Sequence, residues 1–168
     1  MHETDADVAA LQALLDRSYG AAGEHLLSIH TPARRLGARA LVELLQGMCL
    51  LALATVSCDG RPFVGPVDGI FYRGSFHFGS DPDSLRFRHI RARPHISATH
   101  LRGEQLAVTV HGRAVEVDTR SGPFRDALLE LYVPRYGTGW ERFLDSGPVY
   151  ARVEAERMFA YHAPPQAA

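Results

Sequence analysis

Three dipeptides decide most of what this chain can become: Asp59-Gly60, Arg73-Gly74 and Arg102-Gly103, each set between apolar or alternating runs. Asp-Gly between strand-like segments is a strong hairpin signal, because the tightest hairpin turns need left-handed backbone angles at both central residues. Parallel strands need a crossover of a dozen or more residues, and these spacings leave no room for one. CLLALATV, PFVGPVDGIFY and SFHFG therefore read as an antiparallel three-strand meander. HISATHL and QLAVTVHGRAVEV make a second hairpin, in which Gly112 marks a bulge or a close backbone approach. Pro62 and Pro66 predict that the second strand is interrupted or bulged. VYARVEA and RMFAYH supply the closing strand segments.

Before Cys49 the apolar period is helical. Asp5 or Asp7 caps a segment carrying Val8, Leu11, Leu14 and Leu15 and ending near Gly20. Thr31-Pro32 opens a second helix with Leu36, Ala40 and Leu44 on one face, stopped at Gly47. Ser121-Gly122-Pro123 opens a third, through Leu128, Leu129 and Leu131, closed by Pro134. Tight strand connections with helices outside them predict an α+β domain built on an antiparallel barrel.

At 168 residues the chain suits a single domain, and 46% hydrophobic with 22% charged residues is globular composition. The acidic start MHETDADVAA reads against a secretory leader, and MCLLALATV is far shorter than the roughly 20 apolar residues of a membrane span. A cytoplasmic protein without a membrane partner is expected. Cys49 and Cys58 have no zinc or redox spacing, and His77, His89, His95, His100 and His111 are dispersed. No metal site is predicted.

The stretch FGSDPDSLRFRHIRARPHISATH carries four arginines within eight positions, although the net charge of the chain is only −1. Alone, such a run reads as the wet face of a short helix. No aromatic stacking pattern is interleaved with the arginines and no wider basic stripe continues them, so nucleic acid is not the expected partner. Ser80 or Asp81 is placed to cap this helix, with Pro82 in its first turn. Phe87 and Ile90 face the core. Ser84, Arg88 and Arg91 share one stripe and Arg86 lies on another. A helix N-terminus with a serine hydroxyl and arginine forks is suited to phosphate.

The order of these motifs from Leu50 to Val117, and on to His162, resembles the pyridoxamine 5'-phosphate oxidase-like flavin-binding split-barrel family. That family includes enzymes using FMN and enzymes using the deazaflavin coenzyme F-420. In its FMN oxidases a Ser-Arg-Lys run a fixed distance before Asn-Pro grips the cofactor phosphate. Counting back from Pro94 sets Ser84 at the serine and Arg86 at the lysine, with Leu85 for the arginine and Arg93 for the asparagine. The Lys-x-Arg-Asn of deazaflavin enzymes is matched by Arg86-Phe87-Arg88-His89. Leu85 argues against a true pyridoxamine phosphate oxidase.

The resemblance implies a six-stranded antiparallel split β-barrel over residues 48–162; it does not account for the helical extension read over 1–47, and the end of the chain, 163–168, reads from its composition as a frayed tail. It also implies a homodimer with cofactor at the interface, Pro66 and Val67 lining the cofactor ring, and Ser80, Ser84, Arg86, Arg88 and His89 around the phosphate. The expected activity is hydride transfer between FMN or F-420 and a small organic substrate, with no catalytic acid or base assigned. A non-enzymatic flavin- or haem-binding protein is the alternative. Asp68 reads either as a site acid or as a turn former, and Tyr132, Tyr136 and Trp140 either as a wall over the cofactor or as core.

Overall fold

A computed structural model describes residues 1–163; apart from Ala163, the tail lies outside the described residues. The elements run α1 (Asp5–Gly20), α2 (Glu24–Ile29), a 3-10 turn (Pro32–Arg34), α3 (Ala38–Leu44), β1 (Met48–Val56), β2 (Pro62–Tyr72) and β3 (Ser75–Ser80). They continue with α4 (Leu85–Ala92), β4 (His95–Arg102), β5 (Leu106–Val117), α5 (Pro123–Tyr136), α6 (Gly139–Asp145) and β6 (Val149–His162). The six strands close an antiparallel barrel in the order β1-β2-β3-β6-β5-β4. The fold is α+β, as the hairpin spacing predicts. Arg73 and Gly74, with φ of 48° and 76°, make the left-handed β2–β3 turn.

Inward side chains of every strand fill the barrel, among them Leu51, Leu53, Phe76, Phe78, Val108 and Met158. Phe87 and Ile90 of α4 join this core, and α1 and α3 pack on it through Leu11, Leu15, Leu41 and Val42. A second apolar cluster joins Ile70, Tyr72 and Tyr150 of the barrel to Ala127, Leu128 and Tyr132 of α5 and Leu144 of α6.

The short β3 explains the split. It pairs with β2 only over Gly69–Tyr72 and with β6 only over Val149–Arg152. The start of β2 and the end of β6 are thus each left with one neighbouring strand, the end of β6 adding only a single bridge from Tyr161 to Arg35. Helix α1 covers the second gap with side chains in place of a strand. Met158 N–H donates to Ser18 Oγ (2.9 Å), and Ala160 N–H donates to Tyr19 Oη (3.1 Å), which donates back to Ala160 O (2.9 Å). The N-terminal extension therefore satisfies an otherwise bare edge. Ser18→Ala strands the buried Met158 N–H and is expected to cost about 1–3 kcal/mol. A lower urea midpoint with unchanged slope is the expected result, and an unchanged midpoint contradicts it.

Several local expectations are corrected. The α1 cap is Thr4, and Asp7 is its reciprocal partner, a capping box rather than an Asp cap. Thr31-Pro32 opens only the 3-10 turn, while α3 starts after Gly37. β2 runs unbroken through Pro66 because that proline faces the gap, where no ladder bond is lost. Pro134 lies inside α5, and the Trp140 connection is itself helical. β6 is one strand with its extra residue at Glu156, since Gly112 pairs Ala155 while His111 pairs Arg157.

Candidate functional site

The gap beside β2 is where the arginine stretch lies. Helix α4 begins later than its sequence suggests: Ser84, not Ser80 or Asp81, is the N-cap, its Oγ accepting from Phe87 N–H at 3.3 Å. Asp81 instead turns the preceding loop by accepting from Asp83 N–H at 2.8 Å. That turn leaves Ser80 at the end of β3, facing the open edge of β2.

The four arginines divide by direction. Arg86 is partly buried and bridges the gap, donating from Nη2 to Pro66 O at 2.9 Å while Nη1 approaches Ser80 Oγ at 3.5 Å. Arg91 donates to Pro82 O (2.6 Å) and pairs with Glu116 (3.0 Å), fastening the loop ahead of α4. Arg93 donates to Ser57 O (3.1 Å) and Cys58 O (2.7 Å), clasping the β1–β2 turn. These two hold backbone rather than solvent. Arg88 is exposed, about 200° round the helix from Arg86.

The structure thus brings Pro66, Ser80 and Arg86 together, with the first turn of α4 adjacent. It does not bring in Val67, whose side chain is in the barrel core. His89 is also directed elsewhere: it is buried, its Nδ1 is 3.0 Å from Thr55 Oγ1, and its ring lies against Phe63.

Arg86 stands apart electrostatically. Burial lowers the pKa of its guanidinium. Arg91, Arg125 and Arg152 each have a carboxylate, whereas Arg86 enters no ion pair among the described residues. A partly desolvated cation balanced only by neutral oxygens, with donors to spare, is a place prepared for an anion. On β2, Val64 and Asp68 share the backbone direction of Pro66, so this edge also offers peptide groups to a flat ligand.

Beyond Ser80 opens a pocket of about 420 Å³ lined by Asp68, Tyr132, Tyr136, Trp140, Phe143 and Tyr150, among others. Asp68 is in mid-strand opposite Leu50, on the outer face, and is not a turn former. Tyr132 is parallel to Trp140 (4.6 Å, 18°) and to Tyr136 (6.0 Å, 23°). Tyr132 is buried core and pocket wall together; Trp140 and Tyr136 reach outward. Gly79 belongs to the site by necessity, because a Cβ there would lie 2.5 Å from the ring of Tyr150, its register partner. Phe143, Tyr150 and Gly79 escape sequence reading. The one signal is a glycine inside FHFGS, which marks a close approach without naming what approaches. Burial first, then the Asp68 charge, pushes the Tyr150 hydroxyl up to about 12. Among the described residues no three His, Cys, Asp or Glu side chains converge as a metal site, and no helix is long and apolar enough to cross a membrane.

Solved structures of the same architecture are numerous. The conserved hypothetical protein Rv2991 from Mycobacterium tuberculosis is 17% identical, with 82% of this chain and 94% of that one covered at a TM-score of 0.66. The haem storage protein HutZ from Vibrio cholerae is 18% identical over 72% of this chain and 92% of its own, at 0.58. An F420 reductase is 20% identical over 69% and 93%, at 0.53. No curated protein sequence matches this chain. Residues 38–160, α3 to α6 and the barrel up to the last two residues of β6, match the family model described as pyridoxamine 5'-phosphate oxidase. By that match the chain belongs to the pyridoxamine 5'-phosphate oxidase family.

Proposed function

We propose that this protein is an oxidoreductase that binds FMN or the deazaflavin F-420 and moves hydride to or from a small organic substrate. The observation that carries the reading is Arg86, a partly buried guanidinium without a counter-ion among the described residues, set between the open edge of β2 and Ser80. The family membership and the likeness to an F420 reductase support it.

Arg86, Ser80 and the free N–H groups at the start of α4 hold the cofactor phosphate, with Ser84 keeping that helix end in place. Arg88, exposed on the opposite side of α4, adds only long-range attraction through solvent rather than a contact. The Pro66–Asp68 edge supplies backbone groups to the ring, and the pocket walled by the aromatic side chains of α5 and α6 opens beyond it. The bound cofactor supplies the hydride chemistry, and the chain positions and desolvates. Leu50, Val64 and Leu101 are exposed apolar side chains, 55%, 70% and 58% accessible, on the outer barrel face beside this edge. They support a second copy covering that face and completing the site.

Arg86→Ala is expected to weaken cofactor binding by about 2 kcal/mol, roughly thirtyfold in Kd, the scale of a lost charge-assisted contact. Arg86→Lys, which keeps charge but not the fork, should fall between. Arg39→Ala, on the exposed face of α3, should leave Kd unchanged. Titration of the three variants, with circular dichroism confirming the fold, checks this. Equal constants for Arg86→Ala and the parent chain would return the arginines to a structural role.

A further inference from the structure

The pocket beyond Ser80 has a chemistry that phosphate anchoring does not use. Among the described residues Asp68 is the only one lining it that is charged at neutral pH. Its carboxylate enters no ion pair among the described residues. The nearby cation of the phosphate site, Arg86, is directed to Pro66 O and Ser80. Around Asp68 stand five aromatic side chains, three of them in one parallel stack, with Phe143 tilted at 52° against Trp140. The stack is anchored through Tyr132, which is buried with Leu128, Leu144 and Ile70 in the second core.

We propose that this pocket is a substrate subsite for an organic cation, an amine or quaternary ammonium group carried on an apolar or aromatic body. The inference rests on the cofactor reading for the reaction, but not for the binding. A neutral apolar occupant would bury the Asp68 carboxylate unpaired, and an anion would face it directly. A cation satisfies both walls: the carboxylate by charge, and the aromatic rings by the attraction of a positive group to their electron-rich faces. The phenols of Tyr132 and Tyr150 stay neutral there, kept so by burial and by the neighbouring carboxylate, and so offer hydroxyl groups without competing charge. The volume, about 420 Å³, is that of a small-molecule site.

Trp140 is the only tryptophan of the chain and lines the pocket, so its fluorescence reports occupancy. Cofactor-free protein is titrated with benzylammonium, benzyl alcohol and benzoate, three probes of one body and different charge. Benzylammonium is expected to bind about tenfold more tightly than benzyl alcohol, with no saturable benzoate binding. Asp68→Asn should lower the cation to the level of the alcohol and leave the alcohol unchanged. Equal binding of the three probes, or preference for benzoate, overturns the inference even where FMN or F-420 binds through Arg86. Competition between cofactor and benzylammonium also overturns it, by making the pocket part of the cofactor site. A charge preference lost in Asp68→Asn, in a protein that takes up neither cofactor, supports this inference while removing the cofactor reading.

Discussion

Replacing Gly112 with alanine is expected to unfold the barrel or to cost about 4 kcal/mol or more, the range of a severe core defect. A Cβ at this position would lie far inside the van der Waals contact distance of Glu154 O, 2.9 Å from Glu154 C and 3.0 Å from Ala155 Cα. All three are backbone atoms, so no side chain can rotate away. The contact falls where β6 carries its extra residue and the register with β5 shifts. Relief would require the longest seam of the barrel to open. Gly20→Ala is the matched control, because Gly20 ends α1 with nothing within 4 Å of a new Cβ. Its expected effect is within about 0.5 kcal/mol. Equilibrium denaturation of the two variants checks the difference, and similar stabilities would contradict so close an approach of β6 to Gly112.

The second large effect is a loss of stability in acid through His77. This residue is buried between Phe124 (centroids 4.5 Å) and Tyr72 (5.6 Å), with Nδ1 3.1 Å from Ser75 O. Burial pushes its pKa down to about 4 from the ordinary 6.5, against the opposing pull of Ser75 O and with help from the Arg152 charge. The folded state therefore holds His77 neutral where the unfolded chain takes a proton. Its contribution is fully present above about pH 6.5, is lost as pH falls, and reaches a deficit of about 3 kcal/mol near pH 4. Carboxylates titrate in part of the same window, so the readout is a difference. The unfolding free energy of the parent chain should fall more steeply from pH 7 to pH 4 than that of His77→Phe, which keeps a ring but has no proton to gain. Parallel curves would show that His77 is already reached by water.

Much of the barrel is legible in the sequence because hairpins are local. Asp59-Gly60, Arg73-Gly74 and Arg102-Gly103 bring their own strands together, and each turn stands where these residues predict it. What escapes reading depends on distant partners. Pro66 breaks a strand with two neighbours but not one beside a gap, and the gap exists only because β3 has six residues against eleven in β2 and fourteen in β6. Local rules place the cap at Ser80 or Asp81, but Asp81 turns the loop ahead of the helix and the cap falls to Ser84. Helical spacing groups Arg88 with Ser84 and Arg91. The arginine that meets the β2 edge is Arg86, because that edge passes its side of the helix. The aromatic wall is split between α5, α6 and β6, and its closeness to Asp68 is set by the Gly79–Tyr150 register. No short motif encodes that pairing.

Whether this fold, with Arg86 at its open edge, holds a flavin-type cofactor is decided by titrating cofactor-free protein with FMN and with F-420, separately and in competition, while following absorbance and fluorescence. One of the two is expected to be taken up saturably, one molecule per chain, and to be displaced only weakly by the other. Protein that stays colourless and non-fluorescent with both would contradict the cofactor reading.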